Sequence, residues 1–264
     1  MVKRSLLVAT LLLAALTSAC SNPVAPTPAA PARVHLKAGQ DFIAAFLQST
    51  RGQAGSELLD SDFAATLHFH VTSVDASGVA TLNVSTDHFS AATANSEPID
   101  IPTPFQFTLD AQGQVLAGHA WPLLGAIATL PALDQFCMPL PTAPLEPGLA
   151  WSAPLNRGAL GRLDGTASDA LSGYPATLDS TAHTTFAASD SSGGITSSSS
   201  GSADQALTCH FDPVLGHPVG LQSQISFQVT QTAALTASPG APPGPPPQTT
   251  TATGTIVTTL DYKF

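Results

Sequence analysis

His68 and His70 stand two residues apart in the run LHFHV, and alternate side chains of an extended chain point the same way. Both imidazoles then share one strand face. Asp87 joins them if the next strand folds back in register. Two histidines and a carboxylate suit zinc or another divalent ion. That face also carries Thr72, Asn83 and Ser85, so the plainer reading is a pair of solvated strand histidines. Other chemistry has less support. No G-x-S-x-G elbow raises a serine nucleophile, and His119, His183, His210 and His217 lack partners at triad spacing. Glu57, Glu97 and Glu146 are the only glutamates available for paired-carboxylate hydrolysis, most aspartates fall in expected turns or loops, and no glycine-rich phosphate loop occurs. The residues predict a non-enzymatic protein that needs no cofactor, with a metal-binding or hydrolytic role through His68 and His70 as the alternative.

The elements that would position these side chains read as strands. Leu67, Phe69 and Val71 alternate with His68, His70 and Thr72. After Asp75-Ala76-Ser77-Gly78, Leu82 and Val84 alternate with Thr81, Asn83 and Ser85. Pairing Val74 with Val79 sets Phe69 opposite Val84, Val71 opposite Leu82, His70 opposite Asn83 and His68 opposite Ser85. Both strands then agree on one apolar and one polar face. A strand, an aspartate, a few residues and a glycine recur at Asp110–Gly113 and Asp212–Gly216, where Asp bonds the local backbone and Gly supplies positive φ. Phe42, Phe46, Phe69, Phe105, Phe107, Phe186 and Phe227 are expected on the concave side of a sheet, as an apolar ligand face or as plain core.

The predicted fold is mainly β: a long curved antiparallel sheet, or a two-sheet sandwich or half-barrel, over residues 34–264. Pseudo-repeat halves are expected at 34–120 and 151–264. One short helix is predicted near 121–130, where Leu123, Leu124, Ile127 and Leu130 share a face before Pro131. The stretches 189–202 and 238–248 are rich in Ser, Gly and Pro and read as flexible loops.

Cys20 lies in LTSACSNP, after a positive head (Lys3, Arg4) and an apolar run from Leu6 to Leu16. That layout is a secretory signal, too short for a membrane-spanning helix. The Cys after Ser18-Ala19 resembles the lipobox of bacterial lipoproteins, although Thr17 stands where Leu is usual. The resemblance implies a signal over 1–19, a diacylglyceryl group on Cys20, and a Pro/Ala-rich tether over 20–33. Ser21 in place of Asp directs the expectation to the outer rather than the inner membrane of a diderm envelope.

Loss of the signal leaves six basic against 18 acidic residues, a formal charge of −12, which repels nucleic acid. Cys137 and Cys209 remain as an even pair in an exported chain and read as one disulfide.

In order, VHLKAGQDF, VTSVDASGVATLNV, FTLDAQGQV, LPTAPLEPGLAW and FDPVLGHPV resemble a group of uncharacterised bacterial envelope lipoproteins built from a long β-meander. There is a looser, fold-level similarity to periplasmic lipoprotein carriers. The resemblance implies a membrane-anchored binding or structural role towards an apolar ligand or an envelope protein, and brings no catalytic residue.

Overall fold

The computed structural model describes residues 31–93, 104–120, 135–154, 162–168, 175–192, 195–235 and 246–264. The leader, Cys20, the helix expected at 121–130 and residues 238–245 of the second loop lie outside them. The described residues contain eleven strands and no helix. These are β1 (Asp41–Ala54), β2 (Glu57–Val74), β3 (Ala80–Thr93), β4 (Phe105–Leu109), β5 (Val115–Ala117), β6 (Ala150–Pro154), β7 (Arg162–Ser168), β8 (Ala176–Ser192), β9 (Ile195–Asp212), β10 (His217–Leu235) and β11 (Gln248–Lys263). All belong to one antiparallel sheet ordered β5-β4-β3-β2-β1-β11-β10-β9-β8-β7-β6. Of the alternatives left open by the sequence, this is the single curved sheet.

The order is a meander closed through its ends. Each strand pairs with its neighbours in sequence except β5 and β6, which are the two edges, and the first strand pairs with the last, for example Phe46 opposite Leu260. The seam therefore falls between β5 and β6. There Gln114 Nε2 donates to Pro154 O at 2.7 Å, so the two edges of the sheet come together and the sheet is rolled. One face of the roll is apolar and buried. Phe42, Ala44 and Phe46 of β1 alternate with exposed Asp41, Ile43 and Leu47, and Leu67, Phe69 and Val71 of β2 alternate with His68 and His70. Buried phenylalanines are worth about 2–3 kcal/mol each in transfer free energy, so this alternation decides which face turns inward.

The hairpin of β2 and β3 has the expected pairs Phe69–Val84, Val71–Leu82, His70–Asn83 and His68–Ser85. It departs at the turn, where a bulge between Val71 and Ser73 sets Val74 opposite Ala80 instead of Val79. Val79 is used by the turn itself: it accepts from Asp75 N at 2.9 Å and donates to Asp75 Oδ1 at 3.0 Å. The other two turns follow the same chemistry. Asp110 Oδ1 accepts from the amides of Gln112 and Gln114, and Asp212 Oδ1 from those of Val214 and Leu215. Gly78, Gly113 and Gly216 all have positive φ, between 75° and 87°.

Two boundaries differ from expectation. The stretch 189–202 is not a loop: Ser189 pairs with Ser198 and Ser192 with Ile195, so the hairpin of β8 and β9 runs through it. Ser189, Thr196, Ser197, Ser198 and Ser200 are exposed, and the ladder extends instead from the buried half of the same strands. The tether ends earlier than residue 33. Ala32 and Val34 are buried, Val34 N donates to Ala111 O at 2.8 Å, and His35 N donates to Gly216 O at 2.6 Å. Residues 31–264 accordingly form one compact unit. The two expected halves contribute five and six described strands.

Candidate functional site

The expected apolar ligand face is occupied by the chain itself. Residues 135–140 cross the inner face as an irregular segment that bends at Phe136 and Cys137, and Phe136, Cys137 and Met138 are fully buried. Phe136 sits among four rings, at 6.0 Å from Phe42, 6.2 Å from Phe69, 6.0 Å from Phe107 and 5.2 Å from Tyr262. Phe42 in turn stacks on Phe69 at 4.7 Å. Of the phenylalanines assigned to the concave side, Phe42, Phe46, Phe69, Phe107 and Phe227 are buried, while Phe105 and Phe186 are half-buried and packed against the core.

Four bonds hold this strap to four parts of the fold. Tyr262 Oη donates to Phe136 O at 2.7 Å, and Trp151 Nε1 donates to Pro139 O at 2.8 Å. Leu140 N donates to Gln112 O at 2.7 Å. Cys137 is disulfide-paired with Cys209 of β9, their Cα atoms 5.9 Å apart and 72 residues apart in sequence. Closing a loop of that length is worth about 4 kcal/mol in the chain-entropy model. Gly165 lies directly beneath the strap. A Cβ on Gly165 would come within bonding range of the Met138 methyl group, which lies over that position.

The sequence reading missed Phe136 and Tyr262 as the centre of this face. Its available signal was the contiguous apolar run FCM in an otherwise proline-rich stretch. A segment enclosed from all sides buries consecutive residues, so it shows no alternation.

The histidines lie on the outer face. His68 and Asp87 approach to 3.0 Å, as the hairpin register requires. His70 does not join them. Its Nδ1 donates to Asp41 Oδ1 at 2.6 Å, across the β1–β2 pair Asp41–His70. An ionised carboxylate only accepts, so the Nδ1 proton is directed to Asp41. The two imidazoles are thus held by separate carboxylates, and among the described residues no three His, Cys, Asp or Glu side chains gather as a metal-ligand set. These pairs flank a groove of about 480 Å³ that Asn83, Ser85, Pro104 and Lys263 also line. They are about half exposed and contribute little to stability. A third pair of the same kind, His183 Nδ1 with Asp204 Oδ1 at 2.6 Å, stands on β8 and β9.

A second outer groove, of about 660 Å³, crosses β6 to β9. It is lined by Ser152, Asp164, Thr166, Asp179, Thr181 and Thr208, with Thr208 Oγ1 donating to Asp179 Oδ1 at 2.7 Å. Elsewhere on the outer face Leu47 is 55% exposed, in a groove shared with Ala64 and Val257.

At the end of the roll, His217 stacks on Phe264 with ring centres 3.8 Å apart. Its Nδ1 is buried and has no hydrogen-bond partner. Burial pushes its pKa below the ordinary histidine value, and the charge of Asp212 opposes that shift only in part.

The chain matches no protein-family model and no curated protein. The site must therefore be interpreted from its own geometry.

Proposed function

We propose that this chain is a lipid-anchored protein of the cell envelope, held through a diacylglyceryl group on Cys20, whose rolled sheet serves a non-enzymatic role by presenting its outer face to an envelope protein. The occupied inner face carries this reading. A carrier of apolar ligands needs an open aromatic cavity, and here the strap around Phe136 fills the phenylalanine face and is bonded in place at both backbone and side chain. What the fold offers instead is an outer face of grooves and exposed side chains such as Leu47, His70 and Asp164. That face is not suited to lipid. Gln222, Gln224 and Gln228 of β10 are all exposed on it, where a membrane barrel carries an apolar band.

Separate carboxylates for His68 and His70 weigh against the metal or hydrolytic alternative. For localisation, Ser21 favours the outer membrane if the organism is diderm.

The test expresses the full chain in its host with labelled palmitate and a photo-crosslinking residue at Leu47 or Thr181. The expected result is label in the membrane fraction, lost in Cys20→Ala, together with a discrete crosslinked species from at least one outer position. Label that survives Cys20→Ala would defeat the anchor. Absence of a crosslinked species from both positions would defeat the partner-presenting role and leave a purely structural one.

A further inference from the structure

Part of the inner face is polar, and one polar rung joins three strands. Gln48 on β1 stands opposite Thr258 on β11, and Thr258 stands opposite Ser223 on β10. All three are at most 2% exposed. Below this rung lies the apolar row Phe46, Leu260 and Leu221, and above it the mixed row Thr50, Ile256, Ile225 and Gln205. Gln205 extends the polar belt, donating from Nε2 to Ser223 Oγ at 2.9 Å.

Gln48 is the member this belt does not satisfy. Neither its Oε1 nor its Nε2 has a hydrogen-bond partner, so turning the amide by 180° does not help. A primary carboxamide removed from water without partners is costly, and native cores rarely retain one. The position is not forced by the pattern of the strand, since a leucine or methionine would continue the inner alternation of Phe42, Ala44 and Phe46. The side chain lies between the apolar row of Phe46, Leu260 and Leu221 and a mixed row that also holds Thr50, and neither row supplies it with a hydrogen bond.

We infer that Gln48 is the anchor of an internal binding site for a small neutral guest that offers a hydrogen-bond donor and an acceptor together. The carboxamide presents the complementary pair, N–H₂ to give and C=O to receive. An ionic head is disfavoured, because no charged side chain belongs to the rung. Two sources carry the required chemistry: an ordered water, or the neutral acid, amide or alcohol head of a small amphiphile. The inference is independent of the anchor on Cys20; a water as guest leaves the reading of the inner face as filled standing, whereas an amphiphile as guest would overturn it.

The direct measurement is a nuclear Overhauser experiment on the side-chain N–H₂ of Gln48. It uses the isotope-labelled chain secreted as Cys20→Ala and purified without detergent, the signal being assigned by its loss in Gln48→Met. A cross-peak to a long-lived water resonance supports the site with water as guest. A cross-peak to carbon-bound protons of a molecule recovered by solvent extraction supports it with an amphiphile as guest. Gln48→Met keeps the size of the side chain and removes its bonds, so with a guest bound in the wild type it lowers the Tm by roughly 2–6 °C. No cross-peak from Gln48 to any guest overturns the proposal, and a Gln48→Met protein that melts higher than the wild type does so as well. If that variant fails to fold, the signals are assigned through the backbone and the wild-type cross-peak decides alone.

Discussion

At the scale of single residues, the three aspartate turns are the clearest link between side-chain chemistry and fold. Asp75 Oδ1 accepts from Ser77 N at 2.8 Å, Ser77 Oγ at 2.6 Å and Val79 N at 3.0 Å. These bonds, the Ser77 hydroxyl foremost, favour the ionised carboxylate and hold its pKa below the ordinary aspartate value. A carboxylate whose pKa is lowered by folding stabilises the fold above its unfolded-state pKa, about 4, and loses that contribution as the pH falls through the folded-state value. Urea unfolding from pH 6 down to 2 should therefore show a falling midpoint. Asp75→Asn, which keeps an acceptor oxygen but no charge, should show a shallower fall. Identical pH profiles for the two proteins would disprove the assignment. The same local bonding explains why a bulge is placed at Thr72: the turn claims Val79, and the strand adjusts by one residue to keep Phe69 and Val71 inward.

At the scale of elements, the strap at 135–140 determines what the inner face is for. Tyr262 connects it to β11 through a buried hydroxyl, and burial raises the tyrosine pKa far above its usual value. For an acid whose pKa is raised by folding, the stabilising contribution is complete below the unfolded-state pKa of about 10 and is lost as the pH rises beyond it. Tyr262→Phe should cost about 1–2 kcal/mol at neutral pH, because the Phe136 carbonyl then stays buried without its donor. The variant should also lose stability less steeply between pH 9.5 and 11.5. Chemical denaturation across that range measures both effects, and an unchanged alkaline slope would show that Tyr262 does not govern it. The extended hairpins behave differently. At their outer ends Ser189 pairs with Ser198 while both side chains are exposed, so order there depends on the buried halves of β8 and β9.

At the scale of the whole molecule, the sheet is centred on the pairing of the first and last strands. β11 bonds to β1 on one side and to β10 on the other, so its backbone donors and acceptors are used from both directions. Proline in the middle of such a strand removes a ladder bond and clashes with its neighbour. Thr259→Pro, between Leu47 and Gln222, is expected to cost about 3 kcal/mol or more and to disrupt the whole roll. Thr249→Pro, near the exposed end of the same strand, should be far milder. Thermal unfolding of the pair reads the difference, and equal losses would mean that the closure of the sheet is not central to its stability. The seam between β5 and β6 follows from the same topology. These edge strands are the shortest with β4, and β6 ends in Pro154, which blunts the edge against further pairing.

The features legible in the sequence were those settled by neighbouring residues. Period-two alternation identified strands and assigned His68 and Phe69 to opposite faces. Asp and Gly at fixed offsets located three turns, and turn geometry then set the register that brings His68 to Asp87. The serine stretch at 189–202 misled because composition reports the lack of burial but not the continuation of a ladder from elsewhere. Other features depend on segments that meet only after the chain has rolled. Asp41 reaches His70 across 29 residues, Phe136 enters the aromatic cluster from a stretch with no periodic pattern, and β1 finds β11 at the opposite end of the chain. Local periodicity carries no record of such partners. The sequence by itself therefore determined the kind of strands and turns, while the tertiary structure decided that the apolar face is filled, that the histidines are separated, and that the Gln48 carboxamide is buried without a partner.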